Sequence, residues 1–464
     1  MTGKEIITAA FKRQPTIRAP WVPFVGCHGG KLIGVSAYDY LQSGELIAKG
    51  LKRAVELYQP DGLPIMFDLQ IEAEVLGCDL HWAEDVPPSV SSHPLSSDGG
   101  KSIVDLPEFS TEKGRFREIA KTLRIIKNDI GDDIALYGLI CGPFTLALHL
   151  LGNEIFLQMY DDPNAIKSLL DFCSDIAKKT SDFYLNNGVD IIAVVDPMTS
   201  QISPEHFREF VTPTINPIFD HIRQCNALSS IFVCGDVDRN LECMCETHCD
   251  NISVDEQISI PKLKGLAEKY NKSFGGNLKL TVALLLGDED DCRIEAIRNI
   301  DEGGTTGFIL APGCDIPYNV PEENIQAVSE MVHDDYKREI AKKTLAAKEF
   351  NFDYIQLPDY DNSAEIILDI ITLDSSSCAP CQYMLEAAQK AVADLSIKTV
   401  IREHKIKNQD GIGMMCKLGV SSLPTICIDG KITFISIIPD KPTLQAAIHN
   451  RARQKDKLLQ TVAG

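Results

Sequence analysis

With 464 residues, 44% of them hydrophobic and 24% charged, the chain reads as an ordinary globular protein with enough apolar side chain for two or three cores. A net charge of −21 repels phosphates and anionic lipid headgroups, which argues against nucleic acid or a membrane surface as partner. No run of about 18 apolar residues and no secretory leader is visible, and the cysteines number fifteen, an odd count; the expectation is a cytoplasmic protein with reduced thiols.

In chain order, Thr2–Lys12 predicts a helix in which Thr2 caps and Glu5 completes a capping box. Eight short apolar runs follow, each readable as a strand: 21–26, 62–67, 134–140, 191–195, 230–233, 251–254, 273–276 and 307–310. Amphipathic stretches at 44–58, 116–128, 162–186, 204–224, 238–246, 260–270 and 288–301 separate them. Eight alternations predict a (β/α)8 TIM barrel over residues 1–346, with an open doubly wound sheet as the competing architecture. A long charged helix is expected over 322–345, then a polar linker over 347–362. The charge balance changes there: residues 363–464 carry 12 Lys and Arg against 10 Asp and Glu, the rest of the chain 33 against 56.

A barrel performs its chemistry at the C-terminal ends of its strands. That mouth would receive Cys27, His28, Asp68, Cys141, Asp196, Cys234, Asp236, Asp255, Glu256, Asn277 and Cys314, a thiol-rich and acidic set. Cys314 stands out, because Pro312 and Gly313 turn the backbone directly after the last apolar run. Cys234 ends another run before Gly235, and two thiols at two strand ends point to a shared metal. Cysteine is also a common core residue, so each thiol alone could simply be packed. The local cluster Cys243, Cys245, His248 and Cys249 falls on a helix away from the mouth and reads as packing. His149 and His206 lie within helical stretches. No nucleotide-phosphate loop is present.

Residues 363–464 predict a second α/β domain. An apolar strand precedes Cys378-Ala-Pro-Cys381, a helix follows, and Leu423-Pro424-Thr425 leads into a hairpin turned at Asp429-Gly430. The succession resembles thioredoxin. There Cys378 would attack as a thiolate favoured by the helix N-terminus, Cys381 would resolve, and Pro424 would be the cis-proline beside them.

The segments TGKEIITAAFKRQPTIRAPWVP, MFDLQIEAEVLGCDL, GPFTLALHLLG, DPMTSQISPEHFREFVTP and APGCDIPYNVPEENI resemble the uroporphyrinogen decarboxylase superfamily over about residues 1–340. They are most similar to its corrinoid-dependent methyltransferase branch. The decarboxylase's arginine grip after the first strand is missing here, since Gly26-Cys27-His28-Gly29-Gly30 follows instead.

The branch resemblance implies a Zn²⁺ site with His-x-Cys at the fifth strand and a distant Cys at the eighth. It also implies a methylated corrinoid (methylcobamide) on a partner protein and a small thiol as methyl acceptor. Cys234 and Cys314 match the cysteine positions, whereas Phe232 stands at the histidine position. His28 is the expected substitute ligand and Asp68 is expected to hold substrate, while Asp196 and Asp255 either hold substrate or serve a capping or structural role. The leading expectation is therefore a corrinoid-dependent methyltransferase with a fused thiol-redox domain. The alternatives are a thiol-disulfide oxidoreductase carrying a non-catalytic barrel and, more weakly, a decarboxylase of the tetrapyrrole type.

Overall fold

The computed structural model describes residues 1–345, 352–376 and 378–462, with side chains as far as 455. Residues 347–351 of the 347–362 linker therefore lie outside the described residues. The chain divides into two compact units, Met1–Ala347 and Lys348–Gly464.

In the first unit Thr2 and Glu5 form the expected capping box on the helix Gly3–Phe11. Seven parallel strands follow in sequence order around a curled sheet: β1 (Gly62–Pro64), β2 (Ala135–Cys141), β3 (Ile191–Val195), β4 (Leu228–Val233), β5 (Asn251–Val254), β6 (Ser273–Leu278) and β7 (Phe308–Pro312). The eighth expected strand, at 21–26, is reduced to one parallel bridge between Trp21 and Leu310. Pro20 and Pro23 explain the loss, since neither has an N–H to give to a ladder. The segment still closes the ring. Val22 N–H donates to Leu310 O (2.9 Å) and Leu310 N–H to Pro20 O (2.8 Å), while Asp61 N–H on the other side donates to Trp21 O (2.8 Å).

Alternate residues of each strand share a face. Phe24, Phe67, Tyr137, Leu139, Ala193, Phe232, Ile309 and Ala311 accordingly belong to one buried cluster inside the ring. The expected helix at 322–345 is two helices, Glu322–His333 and Asp335–Thr344, because the Asp334 carboxylate caps the second by accepting from Lys337 N–H. Among the described residues no helix is long and apolar enough to cross a membrane.

The second unit contains β8 (Ile366–Thr372), β9 (Thr399–Lys405), β10 (Thr425–Ile428) and β11 (Lys431–Ile435) in the order β9-β8-β10-β11. β8 and β9 are parallel, and the other two pairings are antiparallel. Asp429 and Gly430 both take positive φ, 46° and 72°, as a tight hairpin turn requires.

Candidate functional site

Cys234 follows β4, where Ser230 and Phe232 face the barrel interior. Gly235 then turns the chain at φ 91°, a value glycine adopts without strain. Its N–H is held by Asp255, 7% exposed, which also accepts from Gln257 N–H at 3.1 Å.

Cys314 follows β7 after Gly313, whose Cα lies so close to Glu256 that a Cβ would sit 2.7 Å from the Glu256 backbone nitrogen. On the other side Asp315 accepts a hydrogen bond from Gly26 N–H at 2.8 Å. The Asp255 carboxylate of a neighbouring loop thus holds the first turn, and the Asp315 carboxylate of the Cys314 loop itself ties the second to Gly26. The two turns bring the sulfurs of Cys234 and Cys314, eighty residues apart in sequence, to 2.8 Å from one another. Both side chains are half-buried, neither is in a disulfide, and both pack against the aromatic floor.

Phe232 supplies part of that floor. It is 2% exposed, with ring centroids 5.1 Å from Phe24 and 6.1 Å from Phe67. These rings line a cavity of about 30 Å³ inside the barrel, room for about one water molecule. Glu256, beside Gly313, accepts from Leu280 N–H. Its carboxyl is raised above the ordinary range, first by burial and then by Asp255.

The remaining expected site residues are engaged elsewhere. His28 is fully buried. Its Nε2 lies 2.7 Å from the Tyr58 hydroxyl and its Nδ1 3.2 Å from the Tyr318 carbonyl, so both nitrogens already have partners. Burial pulls its pKa down to about 4. Among the described residues no third His, Cys, Asp or Glu brings a ligand atom within 4.8 Å of both sulfurs. His28 is therefore held by hydrogen bonds on both ring nitrogens, and the structure does not bring it together with Cys234 and Cys314 in a three-ligand group.

Asp68, expected as a substrate contact, is engaged by protein groups. Its side chain has no solvent exposure and is ion-paired with Arg115, which also binds Glu74 at 2.8 Å and stacks 4.8 Å over Trp82. Asp196 accepts from Thr145 N–H (2.7 Å), Thr145 Oγ1–H (2.6 Å) and Phe144 N–H (3.2 Å), capping the helix Pro143–Leu151. Burial raises its carboxyl to about 6. Asp255 braces the backbone behind Cys234 as described. Three carboxylates expected to meet substrate thus meet protein instead.

Cys243, Cys245 and Cys249 are buried packing residues, as expected, and His248 faces outward to Asp220 at 2.9 Å. The three-ligand group that does gather, Asp182, His221 and Cys225, involves the outer helices Pro163–Asn186 and Thr212–Gln224. The sequence reading missed Arg115, Glu72 and Asp315. Charge gave no signal for them in a chain with 66 acidic residues; only their burial or contacts distinguish them.

In the second unit Cys378 caps the helix Ala379–Ala393, and Cys381, 1% exposed, accepts from Leu373 N–H at 3.3 Å. The Leu423–Pro424 bond is cis. Asp374 precedes the motif. Burial opposes its ionisation, but Lys407 and Lys405 outweigh that and hold its carboxyl at about 2.

A parallel barrel with paired thiols at its strand ends, joined to a thioredoxin-type sheet with a C-x-x-C helix start, defines the class. Residues 2–334 match the uroporphyrinogen decarboxylase (URO-D) family and residues 368–449 match a thioredoxin domain. The chain belongs to the uroporphyrinogen decarboxylase family.

Among curated proteins it is 28% identical over 339 residues to the methylcobamide:CoM methyltransferase MtbA of Methanosarcina mazei, spanning 71% of this chain and 97% of the relative. The methylcobamide:CoM methyltransferase MtaA of Methanosarcina barkeri is 27% identical over 294 residues, spanning 61% and 83%. Uroporphyrinogen decarboxylase of Anaeromyxobacter dehalogenans is 24% identical, spanning 70% and 97%. The solved structure of a methyltransferase from Methanosarcina mazei superposes with a TM-score of 0.67 at 23% identity, covering 72% of this chain and 99% of that one, which establishes a shared fold.

Proposed function

We propose that the barrel is a corrinoid-dependent methyltransferase that takes a methyl group from a methylated corrinoid on a partner protein and transfers it to a small thiol, in the cytoplasm. One observation carries this reading: two sulfurs meet at 2.8 Å at the strand ends of a barrel whose relatives include methylcobamide:CoM methyltransferases. In the transfer the acceptor sulfur forms a bond to the methyl carbon, and the corrinoid keeps the electron pair of the bond that breaks.

For a catalytic zinc ion the donor set among the described residues is one protein ligand short. Two thiolates suit a soft cation, yet catalytic zinc keeps three protein ligands, and the third position is Phe232. The fit is to a two-sulfur site that the acceptor's own sulfur would extend. A cation held by Cys234 and Cys314 would supply the charge that keeps that acceptor a thiolate at neutral pH. The chain's residues do the rest. Asp255 and Asp315 brace the two turns, and Phe24, Phe67 and Phe232 form an apolar floor that excludes water.

A second reading is favoured by Phe232 and by the short sulfur separation: a thiol-disulfide oxidoreductase whose barrel binds a ligand or partner. The experiment that separates them is metal analysis of anaerobically purified protein, followed by demethylation of methylcobalamin with a panel of thiols. The methyltransferase reading expects about one metal per chain and methylated thiol, both lost in Cys234→Ser and Cys314→Ser. Metal-free protein that demethylates nothing and reduces disulfides through Cys378 would overturn it.

A further inference from the structure

We propose that Cys234 and Cys314 also form a reversible disulfide, which makes the barrel mouth a redox dithiol in exchange with low-molecular-weight thiols and disulfides. This inference rests on the proposed function only for its consequence, the switching of methyl transfer. The chemistry itself rests on the sulfurs.

Their separation is the first argument. A disulfide holds its sulfurs at about 2.05 Å. Two thiolates sharing a tetrahedral zinc at about 2.3 Å each lie about 3.7 Å apart. At 2.8 Å the pair stands between these arrangements, under about 1 Å from either. Each sulfur lies beside a glycine, Cys234 before Gly235 and Cys314 after Gly313.

The ligand count is the second argument. With Phe232 in the floor, and no third ligand atom within 4.8 Å of both sulfurs among the described residues, cation binding competes less strongly with oxidation than it would in a complete site. Accessibility is the third. Both sulfurs are half-buried, whereas Cys27, Cys78, Cys141, Cys173 and Cys292 are buried in the same unit.

The exchange balances with a low-molecular-weight disulfide as oxidant. One barrel thiolate attacks it, forming a mixed disulfide and releasing one small thiol. The second barrel thiolate displaces the other small thiol and closes the Cys234–Cys314 bond. Two electrons and two protons leave the protein pair and appear as two small thiols. In the reverse direction a small thiolate attacks the barrel disulfide, forming a mixed disulfide and releasing one barrel thiol. A second small thiolate then displaces the other barrel sulfur, leaving one small disulfide and two barrel thiols. While oxidised, the barrel pair has no thiolate to offer a cation, and methyl transfer stops.

The test uses full-length, chelator-treated protein and glutathione redox buffers, with acid quench, alkylation and peptide mapping. In Cys378→Ser/Cys381→Ser protein a cross-linked pair of peptides containing Cys234 and Cys314 is expected to appear in one two-electron step. Thiols that stay alkylatable in the most oxidising buffer, or that carry separate glutathione adducts, overturn the proposal.

The two readings fail separately. A dithiol that titrates in a protein inert toward every methylated corrinoid sinks the methyltransferase reading alone. Methyl transfer that persists undiminished in oxidising buffer sinks the switch alone.

Discussion

Phe232→His is the substitution that tests the reading of the site most directly. The side chain lies two residues before Cys234 and faces the same interior, packed with Phe24 at 5.1 Å and Phe67 at 6.1 Å. Removing the ring forfeits two aromatic pairs at about 0.5–1.5 kcal/mol each. It also leaves an imidazole in an apolar floor at about 1–3 kcal/mol. The metal-free variant should therefore be about 2–6 kcal/mol less stable than the parent.

Against that, zinc in a complete four-ligand site contributes about 10–16 kcal/mol, or about 3 kcal/mol per ligand, so a third ligand should tighten binding about 100-fold. At a metal concentration 100 times its Kd the variant regains about 2.7 kcal/mol. Competition with a chromophoric chelator measures the affinity, and urea denaturation with and without zinc measures the linkage. Phe232→Leu, which loses the ring without gaining a ligand, should leave affinity unchanged. A folded Phe232→His protein that binds zinc no more tightly than the parent, with both cysteines intact, would refute the placement of position 232 beside the sulfurs.

Glu72 is 2% exposed and accepts from Cys141 N–H at 3.1 Å, and burial lifts its carboxyl from the ordinary 4.5 to about 7. With a folded pKa above the unfolded one, its stabilising contribution is complete below about pH 4.5 and is lost as pH rises through 7, by about 3 kcal/mol in all. Glu72→Gln should therefore flatten the dependence of Tm on pH between 5 and 8, and a profile as steep as the parent's would contradict this. Asp68→Asn removes one of the two carboxylates paired with Arg115, leaving Glu74, and should cost about 1.5–3 kcal/mol in denaturant while leaving the acceptor KM unchanged in the folded fraction. A raised KM at unaltered stability would return Asp68 to the substrate. His28→Asn breaks the bond to the Tyr58 hydroxyl and should lower stability with no change in metal content. Loss of the bound metal would mean that His28 ligates after all.

Much of the fold could be read from local chemistry. Thr2 and Glu5 announced a capping box, Asp429-Gly430 a tight hairpin turn, and Cys378-Ala-Pro-Cys381 a helix start after a strand, and each is found there. These features involve residues within a few positions of one another, so the chain's own stereochemistry decides them. Trp21 shows the limit of such reading. Its apolar neighbours read as a full strand, but two prolines leave one bridge, and whether one bridge closes a ring depends on Leu310 and Asp61 far along the chain.

The site divides the same way. Residue types and strand-end positions singled out Cys234 and Cys314 as partners, and the side-chain period of two placed Phe232 on the face of the strand that leads to Cys234. Nothing local distinguished a carboxylate that meets solvent from one that meets protein. Asp68, Asp196 and Asp255 resemble mouth residues in sequence, yet Arg115, the Pro143–Leu151 helix start and the Gly235 turn take up their charges. His28 met the same fate between Tyr58 and Tyr318. The sequence alone settled which groups stand at the ends of the strands. Only the closed ring decided which of them face one another, because a side chain's partners depend on contacts between segments up to 290 residues apart.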